Sequence, residues 1–159
     1  MASNEINWPG DYRPDVSAVH VVNELTMPVS AQAVWRHLIR PKAWPDWYPN
    51  ASNVRLLNTE GDALELGTCF RWKTFGITID CIVEEFVPAE RLAWSSRSLG
   101  MSVYHAWLIS DAPNGCHVLT EETQNGLIPR LSNALMPGRM HKYHQIWLEQ
   151  LSTIAQGSS

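Results

Sequence analysis

Between residues 52 and 124 apolar and polar side chains alternate in short runs separated by turn residues, the pattern of an antiparallel meander. The runs predict strands near 52–58, 67–75, 77–86, 91–98, 101–110 and 115–124. Ahead of them, His20 to Met27 suits a first strand. Ser30 then caps a helix through about Ile39, whose apolar stripe is Val34, Trp35 and Leu38, and Pro41 stops it. The segment PKAWPDWYPN sets three prolines among Trp44, Trp47 and Tyr48, so it forms a proline-stiffened helical turn or loop outside the central sheet. After Gly126 the period lengthens. Leu131, Leu135, Met140, Tyr143, Trp147, Leu151 and Ile154 are spaced for one face of a long helix, interrupted by Pro137 and Gly138 as a kink or as a short helix before a long one. Residues 1–18, with Pro9, Gly10 and Pro14, read as an extended arm whose Trp8 and Tyr12 dock on the body, and residues 156–159 as a frayed tail. A single domain over 19–155 remains.

The order strand, helical segment, six antiparallel strands, long helix predicts an α+β helix-grip fold, a curved antiparallel sheet wrapped around the C-terminal helix. Register follows from the turns. A hairpin centred on Phe75–Gly76 pairs Phe70 with Cys81 and Trp72 with Ile79 on an apolar face, and Arg71 with Asp80 and Lys73 with Thr78 on the solvent face. A turn at Leu99–Gly100 pairs Trp94 with His105 and Leu92 with Trp107 inside and leaves Arg97 outside. Carrying the parity across DAPNG puts Val118, Thr120 and Glu122 inside, with Thr120 opposite His105 and Glu122 on the diagonal, roughly 6 to 8 Å away. By this register Arg71 points outward, and no arginine on the strands after residue 67 faces in.

Composition narrows the function. Twelve Lys and Arg against sixteen Asp and Glu give a net charge of −4 without blocks, so no footprint for nucleic acid or anionic lipid is present. Cys69, Cys81 and Cys116 are odd in number, lack metal-ligand spacing and fall in apolar strand patterns, as thiols in a reducing compartment do. The N-terminus has no basic region followed by an apolar run, and no stretch approaches a membrane span. A cytoplasmic protein is expected, a monomer or homodimer that neither inserts in membranes nor binds nucleic acid.

Chemistry concentrates on the inner face. Among its apolar members, only Thr74, Ser96, His105, Thr120 and Glu122 are polar. A carboxylate there raises its pKa or recruits a partner, and His105 is the nearest. His105 and Glu122 are therefore the candidate general acid and base, or, equally well, a buried pair that orders the core or anchors a ligand. Trp72, Trp94, Trp107, Tyr48 and Tyr143 are candidate walls of a pocket for a flat molecule, and ordinary core is their alternative reading. His141 and His144, at i and i+3, have a metal-compatible spacing. The helical stripe points Met140, Tyr143 and Trp147 inward and leaves both histidines on the surface, so no metal and no cofactor is expected. Phosphate loops and nucleophile elbows are absent.

An apolar strand ending in MPVSAQAVW, the stretch GTCFRWKTFGITIDCIVEEFVPAERLAW, the HAW of the sixth strand, GCHVLTEETQNG, and a last helix carrying LEQL together resemble the superfamily of START-related lipid-transfer proteins, polyketide cyclases and dehydratases, and birch-pollen-allergen-type carriers. The resemblance spans about residues 19 to 155. It implies a deep apolar pocket between sheet and long helix, opening beside residues 44–50 and 126–138 and suited to a small hydrophobic or aromatic molecule. Three readings stand. The first is a polyketide cyclase/dehydratase-like lyase or isomerase, carrying out cofactor-free cyclisation, dehydration or isomerisation on a ligand oriented by His105, Glu122 and Thr120. Here His105 acts as base and Glu122 as its orienter or the acid. The second is a non-catalytic carrier or sensor of the same ligand. The third is a filled-core interaction module, like the heat-shock-ATPase activators of similar fold.

Overall fold

The structure, a computed structural model, describes residues 4–158; residues 1–3 of the expected arm and Ser159 of the expected tail lie outside the described residues. Seven strands, β1 (Val19–Met27), β2 (Ser52–Leu56), β3 (Cys69–Thr74), β4 (Ile77–Val87), β5 (Arg91–Ser98), β6 (Met101–Ala112) and β7 (Gly115–Asn125), form one antiparallel sheet in the order β1-β7-β6-β5-β4-β3-β2. Among the described residues four α-helices accompany the sheet, α1 (Ala31–Leu38), α2 (Trp44–Trp47), α3 (Leu127–Leu135) and α4 (Arg139–Gly157), with short 3-10 turns at Gly10–Tyr12, Pro14–Val16 and Pro41–Ala43. This is the α+β helix-grip architecture. The meander is local in sequence, and only β1 closes on the distant β7, so α4 runs back across the concave face.

Local chemistry sets the boundaries. Ser30 Oγ accepts the Ala33 N–H (3.2 Å) and starts α1, as a short hydroxyl side chain does at an N-cap. Trp44 Nε1 donates to the Leu38 carbonyl (3.1 Å), which ties the proline-rich corner to the end of α1. At Gly126 the chain turns from β7 into α3 with φ +111°, and a Cβ there would lie 2.2 Å from the Gly100 carbonyl oxygen. Only glycine lets this corner cross the β5–β6 turn, and Ile128 N–H then donates to that same carbonyl (3.2 Å).

The β3–β4 and β5–β6 registers are those the turns predict, with Trp72 opposite Ile79 and Trp94 opposite His105. On the solvent face Arg71 grips Asp80 through two bonds, Nε–Oδ1 at 2.6 Å and Nη2–Oδ2 at 2.8 Å. The β6–β7 register differs from the expected one by two residues. The turn is the two-residue Pro113–Asn114, with Asn114 at φ +66°, so His105 stands directly opposite Glu122 and Trp107 opposite Thr120. An even shift preserves parity, which is why the faces were legible while the pairs were not.

The helical stripe also differs. Leu131 and Leu135 are exposed, and Met140, Tyr143 and Ile154 only half-buried. The side of α4 that meets the sheet carries His144, Trp147, Leu148, Leu151, Ser152 and Ala155. Gly138, at φ +80°, separates α3 from α4, so one period does not run through both. The helix also continues to Gly157, beyond the boundary expected at 155, and Ser158 Oγ contacts His37 Nε2 (2.7 Å). On the convex face the N-terminal arm covers the sheet centre: Tyr12 and Trp8 pack on Tyr104 (5.5 and 5.7 Å between rings), and Thr123 Oγ1 donates to the Tyr12 carbonyl.

Candidate functional site

Between sheet and helices lies a tryptophan cluster. Trp44 contacts Trp72, Trp94 and Trp147 at ring distances of 5.2, 5.5 and 5.2 Å, and Tyr48 stacks on Trp147 at 4.4 Å. Trp44, Trp94, Trp107, Trp147 and Tyr48 are all at most 1 % exposed. Beside this cluster the interior is open as a cavity of about 80 Å³, room for several waters or a small molecule. The sheet contributes Trp72, Ile79, Trp94 and Val103, α3 contributes Ile128, Pro129, Ser132 and Asn133, Met136 follows at its end, and α4 contributes Arg139, His144 and Trp147.

The expected site residues thus divide. Trp72, Trp94, His105 and Glu122 line the cavity; Tyr48, Trp107, Thr120 and Tyr143 do not. Tyr48 is held behind Trp147, with Asn50 Nδ2 donating to its hydroxyl oxygen (3.2 Å). Trp107 lies flat on His105, with ring centroids 5.2 Å apart. Tyr143 packs on Phe75 near the mouth. Of the cavity residues outside the sequence-based set, two carry basic side chains. Arg139, at the mouth, sits over the rings of Phe75 and Tyr143 (5.2 and 6.0 Å). His144, expected on the surface, is 2 % exposed.

The polar end is built by β6, β7 and α4 together. Glu122 Oε1 lies 3.1 Å from His105 Nδ1 and 3.9 Å from His144 Nε2. Gln124 Nε2 donates to Glu122 Oε2 (2.6 Å). On the other edge of the ring, His105 Nε2 meets Thr120 Oγ1 at 2.7 Å, and Thr120 donates to the Ala106 carbonyl (3.1 Å). With the threonine hydrogen sent to that carbonyl, Oγ1 accepts the Nε2–H of His105. Nδ1 then faces the carboxylate as a lone pair unless a positive charge lies between them. The buried pair is therefore built to hold a proton, or another cation, at one point.

Electrostatics follow the same geometry. Burial pushes the Glu122 carboxyl up, but the charge and hydrogen bond of His105, aided by His144 and Gln124, outweigh it and hold the carboxyl below its ordinary range. Burial pulls the His144 imidazole down to about 3, against the attraction of Glu122 and with help from His105 and His141, so this ring is neutral at physiological pH. Asn23, on β1, anchors the turn of α4 that carries His144 by donating to the His141 carbonyl (3.0 Å) and to Gln145 Oε1 (2.9 Å). Three buried atoms of cavity-lining side chains, Trp72 Nε1, His144 Nδ1 and Trp147 Nε1, have no hydrogen-bond partner, the kind of group that a bound molecule satisfies. No helix among the described residues is long and apolar enough to cross a membrane.

Residues 18–156 match the family described as polyketide cyclase/dehydrase and lipid transport. Among solved structures, a hypothetical protein from Helicobacter pylori is 30% identical, with a TM-score of 0.89 over 98% of both chains. A protein from Thermus thermophilus is 19% identical, with a TM-score of 0.69 over 89% of this chain and 99% of that one. The di-domain ARO/CYC StfQ from the steffimycin biosynthetic pathway is 12% identical, with a TM-score of 0.70 over 88% of this chain and 52% of its own. The last two share the fold. No curated protein sequence matches the chain.

Proposed function

The chain belongs to the polyketide cyclase/dehydrase and lipid transport family, and on that premise we propose that it encloses a small apolar or aromatic molecule in the sheet–helix cavity and exchanges a proton with it through Glu122 and His105. The observation that carries this reading is the cavity's make-up: aromatic and aliphatic side chains of the sheet and helices, a buried imidazole–carboxylate pair, and the polar Ser132, Asn133 and Arg139 on the helical side. An apolar wall supplies affinity, and a few convergent polar groups supply orientation. The reaction class is proton transfer: cyclisation, dehydration or isomerisation. That StfQ, an ARO/CYC, shares the fold is consistent with this class.

The geometry favours a division of labour other than the one expected from sequence. Both ring nitrogens of His105 are engaged, Nδ1 by Glu122 and Nε2 by Thr120. Glu122 is then the group that meets the ligand, and His105 is the partner that takes up or returns the proton as the carboxylate's charge changes. Thr120 and Trp107 act as positioning residues, fixing the edge and the face of the imidazole.

The test is a fluorescence titration of the full chain with small aromatic ketones, phenols and their hydroxy derivatives. Trp72, Trp94 and Trp147 line the cavity, so saturable quenching with one site is expected. A flat response across this set overturns the reading.

A further inference from the structure

We propose that His105, Glu122 and His144 form a site for one divalent first-row transition ion, held by His105 Nδ1, Glu122 Oε1 and His144 Nε2 and open to the cavity on its remaining side. The three side chains come from β6, β7 and α4, all are buried, and their donor atoms lie within 4.8 Å of one another. Donors around such an ion stand about 3 to 3.5 Å apart, given metal–ligand distances near 2 Å. The separation from Glu122 Oε1 to His105 Nδ1, 3.1 Å, lies in that range and the one to His144 Nε2, 3.9 Å, lies above it, so a shift of His144 on the order of an ångström closes the shell.

The surroundings are those of a ligand set rather than of a chance cluster. The outer edge of His105 is fixed by the relay through Thr120 Oγ1 to the Ala106 carbonyl, which leaves Nδ1 as the coordinating nitrogen. Gln124 holds the second carboxylate oxygen. Such outer partners orient ligands and set their basicity. Among the described residues neither Lys nor Arg forms an ion pair with Glu122; the basic groups beside it are the two imidazoles. The His144 ring is buried with Nδ1 unpartnered. The spacing of His141 and His144 in the sequence is not the site: His141 is exposed and only its backbone carbonyl is used, by Asn23.

Two imidazoles and one carboxylate suit Zn²⁺, Co²⁺ or Fe²⁺ and not Mg²⁺ or Ca²⁺, which take oxygen donors. Three protein ligands leave a position for an exogenous donor, and here that position faces the cavity, where an oxygen atom of an enclosed molecule completes the shell. The ion takes the place of the proton shared by His105 and Glu122, so the ion-loaded form and the proton-exchanging form are alternative states of one site. This goes beyond the ligand-binding reading, which needs no ion.

The experiment is anaerobic titration of chelator-stripped full chain with Co²⁺, followed by competition with Zn²⁺. Visible d–d absorption saturating at one equivalent and abolished by Zn²⁺ is expected. His144→Ala should weaken binding by more than about 100-fold, beyond the cost of losing an outer-shell partner, and His141→Ala should leave it unchanged. Gln124→Leu keeps all three ligands and should weaken binding by about 10-fold, which keeps the test informative if His144→Ala does not fold. Absence of a band at millimolar Co²⁺, equal loss in His141→Ala, or unchanged binding in Gln124→Leu and His144→Ala overturns the proposal. The aromatic-ligand titration is run on the same stripped protein, so a lost metal site and a lost cavity are distinguishable.

Discussion

The imidazoles of His105 and His144 lie stacked, centroids 4.8 Å apart and planes 19° from parallel, although one ring comes from β6 and the other from α4. Trp107 lies near parallel to the His105 ring as well, at 5.2 Å and 25°. Two aromatic neighbours hold the ring by its faces, and Thr120 and Glu122 hold it by its edges. A group that gains or loses a proton without moving needs such confinement, because each degree of freedom removed beforehand need not be frozen in the transition state.

Trp44 is the structural centre of the tryptophan cluster and does not itself line the cavity. Its ring meets Phe70, Trp72, Trp94 and Trp147, and its indole N–H is spent on Leu38. Trp44→Ala should cost about 3–5 kcal/mol, whereas Trp44→Phe should lose far less. Urea midpoints at unchanged m-value measure this; equal loss in both variants would show that the hydrogen bond, not the volume, dominates.

Gly126 fixes where α3 leaves the sheet, and hence the rim of the cavity. Gly126→Ala puts a methyl group against the Gly100 carbonyl and forces alanine to φ +111°. The backbone strain alone is on the order of 1–3 kcal/mol, so the variant should be destabilised and should also bind cavity ligands more weakly as α3 is displaced. Wild-type melting and affinity in Gly126→Ala would contradict the close crossing.

Much of this was readable in the sequence because strand patterning is strict. Parity put Trp72, Trp94, His105 and Glu122 on one face, and the opposite charges of Arg71 and Asp80 confirmed which face meets water. What failed depended on longer-range geometry. A two-residue turn at Pro113–Asn114, where a longer loop was expected, moved Glu122 from the diagonal to direct opposition. His144 was missed because Tyr143 and His144 are both one helical turn from Trp147, and apolarity alone favours the tyrosine. A buried carboxylate already assigned to the inner face was the signal that a second imidazole belonged there.

The alkaline limit of stability should be set by buried acids. Burial pushes the Cys81 thiol from near 9 up to about 12, with smaller opposing contributions from Trp72 and Ser96, and burial also raises Tyr48 and Tyr104 above the ordinary phenol range. The unfolded chain releases these protons first, Cys81 from about pH 9 and the tyrosines from about pH 10, so stability falls as pH rises through that window. The slope approaches about 1.4 kcal/mol per pH unit for each group. Urea midpoints in reductant should decline between pH 9 and 11, less steeply in Cys81→Ala; a flat profile would show that these groups ionise freely in the folded protein.

His105→Ala and Glu122→Gln separate catalysis from carriage, because the two roles ask different things of the same pair. A carrier needs these groups only for orientation, and each change should weaken ligand binding by about one hydrogen bond, roughly 1 to 3 kcal/mol. A proton-transfer enzyme needs the pair in the transition state, and losing it typically removes 10²- to 10⁴-fold in rate while affinity barely moves. Glu122→Gln keeps the shape, and its amide still bonds His105 Nδ1, but it cannot ionise. In the arrangement proposed here, with Glu122 meeting the ligand, Glu122→Gln should lose at least as much rate as His105→Ala. The measurement is affinity by fluorescence quenching and single-turnover rate on any ligand found to react. Unchanged rates in both variants would rule out proton transfer by this pair and leave it as an anchor; a large loss in His105→Ala with little in Glu122→Gln would return the base role to the imidazole.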